Sequence, residues 1–209
     1  MRIKFTSAIL LVALMFSCKS ATTHQEADTT ATANYEVIPA PQMISKPSIN
    51  ANKPFVLTAN TKITYPKGDV DLERYAGFLK EYIQKQSGIA LNIAPDEGKP
   101  SNNIVLLQNY NNENKEGYQV SIDADHITIN GASKAGTFYG VQFLRKSIPV
   151  LKTKKIIFPA QQITDQPYFA YRGGHLDSAR HFFTADSIRI FIDMLALHNM
   201  NRFHWHLTD

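Results

Sequence analysis

The stretch Tyr171–Asp209, YRGGHLDSARHFFTADSIRIFIDMLALHNMNRFHWHLTD, decides the fold of this chain. An extended run over Ala170–Leu176 is followed by apolar residues at three- and four-residue spacing, which predicts a helix that Thr184 can cap. Met200–His206 is a second extended run. Strand, crossover helix and strand make a parallel unit, and one such unit cannot bury its own faces. The stretch therefore predicts a β-α-β unit over residues 166–209 that needs more units of the same kind, as in a TIM (β/α)8 barrel, of which it would be the first and truncated part.

The region before this unit, residues 35–165, predicts an α+β domain. Asp69 or Asp71 can cap a first helix that ends at Gly88, and Ser133 can cap a second helix over Lys134–Ser147. Short β-rich runs surround the helices: Phe55–Thr58, Lys62–Tyr65, Ala90–Ala94, Asn103–Gln108 and a hairpin over 118–130. This order predicts a mainly antiparallel sheet with helices on one face. The tract Asp165-Gln166-Pro167 marks its boundary with the second region.

The amino terminus has the pattern of an export signal over residues 1–17. Arg2 and Lys4 precede a short apolar run, Ile9–Phe16, that is too short to span a bilayer. The only cysteine, Cys18, follows directly, in a tract that resembles a bacterial lipobox. We expect Cys18 to be lipidated, although an ordinary secretion signal with an incidental cysteine is the alternative. An exported, periplasmic or outer-membrane-associated lipoprotein is thus predicted, with a disordered tether over residues 18–34.

The charge balance argues against nucleic acid as a partner. The chain carries 22 basic and 18 acidic residues, a formal charge of +4, with no block of like charges. Nucleic-acid-binding domains have a stronger and more clustered positive charge. The candidate chemistry therefore rests on individual side chains in the last part of the chain.

Those side chains gather at predicted strand ends. His204 and His206 are two apart on one strand, so they point to the same side. Asp209 follows that strand and Arg180 follows the preceding one, and the carboxyl ends of parallel strands carry sites in such folds. An arginine–carboxylate pair there can hold polar substrate groups. The structural alternatives are that His204 and Trp205 fill core space and that Asp209 caps a helix.

A metal site is the competing hypothesis for the same residues. Imidazole and carboxylate groups suit zinc, and His204, His206 and Asp209 would form a plausible set of three ligands for a metal-dependent hydrolase. Arg180 beside that set would repel a divalent cation. We therefore expect no metal here.

The complete stretch resembles the start of the catalytic barrel of family 20 glycoside hydrolases, the β-N-acetylhexosaminidases. The matching pattern is Arg-Gly, then Leu-Asp-x-x-Arg-His-Phe, a helix, and Asn-x-x-His-Trp-His-Leu-x-Asp, across residues 171–209. Gly174-His175 stands where the family usually has apolar residues. The preceding α+β region also resembles the family's non-catalytic amino-terminal domain.

The resemblance implies roles for particular residues. Arg180 would bind hydroxyls of a terminal N-acetylhexosamine, and Asp209 would bind the sugar and orient Arg180. Supporting roles at strand ends are implied for the other motif positions: Arg172, Asp177, His181, His204 and His206. The partners implied are glycans that end in N-acetylglucosamine or N-acetylgalactosamine, together with a membrane through the lipid anchor.

The family's chemistry needs a group that this stretch lacks. Family members are retaining enzymes in which the substrate's own acetamido oxygen attacks the anomeric carbon, without a cofactor, while an Asp-Glu pair assists. The only Asp-Glu dipeptide here is Asp96-Glu97, in a turn of the first domain. The resemblance therefore implies an exo-acting hexosaminidase whose residues 1–209 are inactive alone and contain no catalytic residue. A lipid-tethered module that binds a glycan or a partner without catalysis is the alternative.

Overall fold

A seven-stranded sheet frames the first part of the chain in the computed structural model, which describes residues 29–46, 53–98 and 102–208. The strands before residue 166 are β1 Thr30–Thr32, β2 Met43–Ser45, β3 Phe55–Leu57, β4 Lys62–Tyr65, β5 Asn92–Pro95, β6 Asn103–Leu107, β7 Tyr118–Ile122, β8 His126–Gly131, β9 Lys155–Phe158 and β10 Gln161–Asp165. The large sheet has the order β2-β10-β7-β8-β6-β4-β5, and a small sheet has the order β1-β9-β3.

Two capped helices lie on one face of the large sheet. Helix α1, Val70–Ser87, begins where the Asp69 carboxylate accepts hydrogen bonds from two backbone N–H groups, and it ends at Gly88, whose φ of 84° is left-handed. Helix α2, Lys134–Ser147, begins at Ser133, whose hydroxyl accepts from the Ala135 N–H. The predicted caps are confirmed, because each depends only on neighbouring residues.

The core lies between this helical layer and the sheet. The strands alternate buried and part-exposed positions, as in β7 and β8, so one side chain in two points toward the helices. The fully buried large side chains come from both layers and from the small sheet: Phe55, Leu57, Ile63, Leu72, Leu79, Ile83, Leu91, Ile104, Leu106, Ile122, Phe143 and Phe158. One continuous core therefore holds the first domain together.

The expectation of a mainly antiparallel sheet is wrong. The pairs β2–β10, β10–β7 and β7–β8 are antiparallel, whereas β8–β6, β6–β4 and β4–β5 are parallel. Helix α1 connects β4 to β5 as a crossover, and a crossover returns the chain in the same direction. Among these six pairs, only β7 and β8 are joined by a turn short enough for the sequence to indicate that the two strands are antiparallel.

The predicted tether over residues 18–34 also needs correction at its end. Thr30–Thr32 form β1, which pairs in parallel with β9, and the Ala33 N–H donates to the Ile157 carbonyl oxygen at 2.8 Å. Ala31 and Ala33 are buried. Small residues are sufficient in β1, because backbone hydrogen bonds, rather than large apolar side chains, hold this strand in place. The signal segment, residues 18–28 of the tether and Cys18 lie outside the described residues.

Two helical glycines give opposite expectations for the same substitution. A Cβ on Gly136 would lie 2.2 Å from the Gly117 carbonyl oxygen, whereas a Cβ on Gly77 would meet nothing within 4 Å. Gly136→Ala should therefore lower the free energy of unfolding by about 1–3 kcal/mol through overpacking. Gly77→Ala should raise it by about 0.5–1 kcal/mol, because alanine restricts the unfolded chain. Urea denaturation of both variants checks this pair; equal effects would contradict the close approach of α2 to residue 117.

The last part of the chain forms a strand–helix–strand unit. Strand β11, Gly173–Asp177, pairs in parallel with β12, Arg202–His206, and helix α3, Ala185–Leu197, connects them. The Thr184 hydroxyl accepts from the Ser187 N–H, which confirms the predicted cap. Phe203 of β12 contacts Phe191 of α3 with ring centroids 5.4 Å apart. Within the described ranges, no helix is both long and apolar enough to cross a membrane.

Candidate functional site

The register of β11 and β12 brings the predicted site residues together at one end of the strand pair. His175 lies opposite His204, and Asp177 lies opposite His206, where both strands end. The Ser178 N–H and hydroxyl both donate to the His206 carbonyl oxygen at 2.9 Å, which fixes the turn after β11 against the end of β12. The carboxyl ends of the two strands therefore form one edge.

Asp177 holds Arg180 at this edge. One Asp177 carboxylate oxygen accepts hydrogen bonds from the N–H groups of Ala179 and Arg180 at 3.1 and 3.2 Å, and the other is paired with the Arg180 guanidinium. The Asp177 side chain is 25% exposed and the Arg180 side chain is 65% exposed. Asp177 thus fixes the turn and pairs with the guanidinium of Arg180, whose side chain extends to the surface.

The Asp177 carboxyl should titrate far below its ordinary range. The hydrogen bond from the Arg180 guanidinium, aided by the two N–H donors, holds the pKa of Asp177 at about 2. Because this pKa is depressed from an unfolded value of about 3.9, the pair's contribution to stability is present above that value and is lost as the pH falls toward about 2. Carboxyl NMR titration should locate the transition there, and Arg180→Gln should raise it.

The matched control for this titration is Arg189→Gln. Arg189 pairs with Asp186 at the same three-residue spacing, but on the exposed surface of α3. This variant should leave the Asp177 transition unchanged. A similar rise in both variants would mean that general charge, and not the Arg180 pair, depresses the pKa of Asp177.

Three histidines share the strand face that points away from α3. The His175 ring lies 4.5 Å from the His204 ring and 6.3 Å from the His206 ring, between centroids. Phe203 and Trp205 stack on the opposite, α3-facing side. The prediction that His204 and His206 point to the same side is confirmed, and His175 joins them through the strand register.

These histidines do not form a metal centre with the other described side chains. Over residues 29–46, 53–98 and 102–208, no group of three or more His, Cys, Asp or Glu side chains is arranged to hold a metal ion. The metal hypothesis also used Asp209, which lies outside those ranges, as does the predicted contact between Asp209 and Arg180. His181 is exposed in the loop before α3.

Arg172 lies at the other end of β11, just before the strand begins. Its guanidinium donates to the Glu116 carboxylate at 2.9 Å, to the Tyr139 hydroxyl at 3.0 Å, and to the carbonyl oxygens of Phe169 and Asn199 at 2.7 Å. Since Asp177 is five residues further along the strand, Arg172 lies about 16 Å from the site edge. Arg172 therefore anchors the start of β11 to the first domain.

Glu116 is the centre of this anchor on the first domain. Besides Arg172, it accepts from the Asn201 amide at 3.1 Å and from the Tyr139 hydroxyl at 3.3 Å. Burial opposes ionisation of Glu116, but the hydrogen bonds from Arg172 and Asn201 outweigh it, so the pKa of Glu116 falls below its ordinary value. Burial, followed by the charge of Glu116, raises the pKa of Tyr139 to about 12. The ion pair is thus charged, and Tyr139 neutral, at neutral pH.

A second contact attaches α3 to the first domain. Arg145 of α2 makes two parallel hydrogen bonds to the Asp193 carboxylate at 2.8 and 2.7 Å, and its guanidinium lies 3.9 Å from the centre of the Tyr82 ring. The sequence interpretation missed Glu116, Tyr139, Asn201 and the Arg145–Asp193 pair. No local pattern marks them, since each partner lies tens of residues away.

Comparison with known proteins follows the same two-part division. Residues 34–166 match the family described as glycosyl hydrolase family 20, domain 2, and residues 169–209 match glycosyl hydrolase family 20, catalytic domain. A β-hexosaminidase of Porphyromonas gingivalis is 33% identical over 147 residues, which are 66% of this chain and 19% of that protein. A β-N-acetylhexosaminidase of Cellulomonas fimi is 30% identical over 174 residues, which are 83% of this chain and 34% of that protein.

A solved structure of a β-hexosaminidase has the same fold over most of this chain. A mutant Streptomyces plicatus β-hexosaminidase in complex with its product GlcNAc superposes with a TM-score of 0.71 at 28% identity, over 83% of this chain and 34% of that one. The chain thus spans between about a fifth and a third of the length of these relatives. From the two matched domains, their order and the shared fold, the chain belongs to glycosyl hydrolase family 20.

Proposed function

We propose that this chain is the amino-terminal part of an exo-acting β-N-acetylhexosaminidase. The observation that carries the proposal is the Asp177–Arg180 pair, which presents a guanidinium at the carboxyl-terminal edge of β11, beside the end of β12. Arginine at such an edge can donate several hydrogen bonds in fixed geometry to sugar hydroxyls. The GlcNAc product bound by the Streptomyces plicatus enzyme supports a terminal N-acetylhexosamine as the ligand.

The proposed mechanism is substrate-assisted and retaining. In it, Arg180 binds sugar hydroxyls, Asp209 binds the sugar beside it, and β11 and β12 are the first strands of a TIM barrel. The acetamido oxygen of the substrate attacks the anomeric carbon, and an Asp-Glu pair from a later strand orients the acetamido group and protonates the leaving oxygen. Asp96-Glu97 is not this Asp-Glu pair, because it follows β5 of the first domain. Residues 1–209 alone are accordingly inactive.

The proposed setting is the bacterial envelope. Export by residues 1–17 and lipidation of Cys18 would place the protein in the periplasm or at the outer membrane, where terminal GlcNAc or GalNAc residues of glycans are accessible. A single acyl chain binds membranes only marginally, so stable anchoring requires more than one. Mass spectrometry of the membrane-extracted protein tests this part: a thioether-linked lipid on Cys18 supports it, and an unmodified Cys18 contradicts it.

Hydrolysis of a chromogenic N-acetyl-β-D-glucosaminide tests the enzymatic part. The protein encoded by the complete gene should release the chromophore, and NMR of the first product should show retention of the β configuration. Purified residues 19–209 should release none. Turnover by that shorter chain would overturn the assignment of the acid to a later strand, and a complete protein without activity would overturn the enzyme proposal.

A further inference from the structure

The large sheet has a second face that no helix of the described residues covers. Helices α1 and α2 pack on the core face, and α3 packs on α2. On the other face, the alternating side chains of β7, β8 and β10 are partly buried and reach the surface with the remainder of their area. We call this surface the polar face and define it by five central side chains: Gln119, Ser121, Thr128, Gln162 and Thr164.

The polar face carries amides and hydroxyls and no charge at its centre. Strand register sets Gln162, Ser121 and Thr128 in one row, and Thr164 beside Gln119 in the next. Exposed protein surface is usually rich in lysine and glutamate, so an uncharged polar surface across several strands is a departure from the ordinary pattern. Its hydrogen-bonding capacity can be directed at a neutral polar partner.

That capacity is unused inside the protein. Within the part of the chain that the structure describes, the five side chains of the polar face make no hydrogen bond, whereas neighbouring groups such as Ser45 and Asn130 do. The amide of glutamine both donates and accepts, as do the hydroxyls of serine and threonine. These are the groups that pair with sugar hydroxyls and acetamido groups.

A cavity adjoins one end of this surface. Thr128 is followed across the sheet by Val105 and then Thr64 in register. Thr64 lines a cavity of about 480 Å³ whose wall also carries charged side chains, those of Lys62, Asp96 and Glu97. The seven strands span about 29 Å at ordinary strand spacing. The row of polar side chains and the cavity together form a long surface. Its length fits an extended oligomer better than a single small molecule.

We propose that the polar face is a secondary binding surface for a neutral oligosaccharide of β-linked N-acetylhexosamine. The identity of the sugar rests on the proposed function, while the surface itself is defined by the sheet. It lies in the first domain, on the opposite side of the sheet from α2 and the β11–β12 unit, so it binds part of a chain distant from the end held at Arg180. Hydrogen bonds spread over three strands carry the recognition.

The test measures binding of a hexamer of β-1,4-linked N-acetylglucosamine to the full chain by calorimetry and by amide chemical shifts. Gln119→Ala with Gln162→Ala should weaken binding about tenfold, since two glutamine amides lose their hydrogen bonds to the ligand. The shifts in the parent protein should lie on β7, β8 and β10. Gln119→Glu with Gln162→Glu keeps the size of the side chains and should also weaken binding.

Two controls separate this surface from the candidate active site. Gln84→Ala removes an exposed glutamine from α1 and should leave binding unchanged, whereas Arg180→Ala should affect only the contacts of the terminal sugar and leave the shifts on β7, β8 and β10 in place. Unchanged affinity in both double variants, shifts confined to residues 171–208, or the absence of any hexamer binding would overturn the proposal. A halved molecular mass in the double variants with unchanged hexamer affinity would identify the surface as a self-contact instead. Hexamer binding without hydrolysis by the complete protein would contradict only the enzyme proposal.

Discussion

Replacing Arg180 with alanine in the complete protein is expected to lower kcat/KM for a chromogenic N-acetylglucosaminide by at least about a hundredfold. The proposed role gives Arg180 two charge-assisted hydrogen bonds to sugar hydroxyls. Such bonds are worth about 1.5–3 kcal/mol each, and their loss would appear directly in the transition-state free energy. Stability should change little, because the Arg180 side chain is mostly exposed. Asp177→Asn should give a smaller loss, since it weakens the hold on the guanidinium without removing it.

Arg189→Ala is the matched control for this experiment. It removes an arginine that is paired, like Arg180, with an aspartate three residues earlier, but on the outer surface of α3. Its kcat/KM should stay within about twofold, as expected of a surface substitution. An Arg180→Ala enzyme that keeps more than a tenth of the activity would remove Arg180 from the sugar site.

Local chemistry made the helices predictable. Asp69, Ser133 and Thr184 each accept a hydrogen bond from a backbone N–H two or three residues later, and Gly88 takes the left-handed conformation that ends α1. Each of these interactions lies within one helical turn, so the residues that form it are neighbours in the sequence. The helix over Lys134–Ser147 was therefore predicted with its observed bounds.

Strand pairing was harder to predict because its partners are distant. β1 pairs with β9, which lies more than a hundred residues later. The strands β5 and β6 pair in parallel with β4, and no hairpin turn in the sequence indicates either pair. A threonine-rich segment such as Thr30–Thr32 carries too little apolar surface to stand out as a strand. Its order comes from backbone hydrogen bonds to a strand that the sequence pattern does not connect to it.

The candidate site also has features that the sequence could predict and features that it could not. The shared side of His204 and His206 follows from the two-residue period of a strand, and it was predictable. The Asp177–Arg180 pair is local but was missed, because a turn of this kind forms only once β11 ends at Asp177. The partner of Arg172 could not be foreseen, since Glu116 lies 56 residues earlier in a loop of the first domain.

The two ends of β11 thus have different structural roles. Asp177 at the carboxyl end holds the guanidinium proposed to bind sugar, and Arg172 before the amino end joins the strand to Glu116 and Tyr139. A strand is a stiff connection between them. The position of the first domain therefore constrains the site edge, although that domain supplies none of the residues proposed to touch the sugar there.

Arg172→Ala should accordingly destabilise the unit from β11 to β12 by about 3 kcal/mol, as expected when one member of a largely buried ion pair is removed. The Arg172 and Glu116 side chains are only 14% and 22% exposed, and the variant loses every guanidinium hydrogen bond at the junction. Urea denaturation followed by fluorescence of Trp205, the only tryptophan, reports on this unit directly. Arg172→Lys should recover little, because an ammonium cannot reproduce the planar fork.

The control is Arg202→Ala, on the neighbouring strand, where the guanidinium is exposed and donates to one backbone carbonyl oxygen. It should change the free energy of unfolding by no more than about 0.5 kcal/mol. Combining Arg172→Ala with Glu116→Gln should cost much less than the sum of the single changes, since the two side chains form one network. Additive losses, or an Arg172→Ala effect as small as that of Arg202→Ala, would mean that the junction does not hold β11 in place.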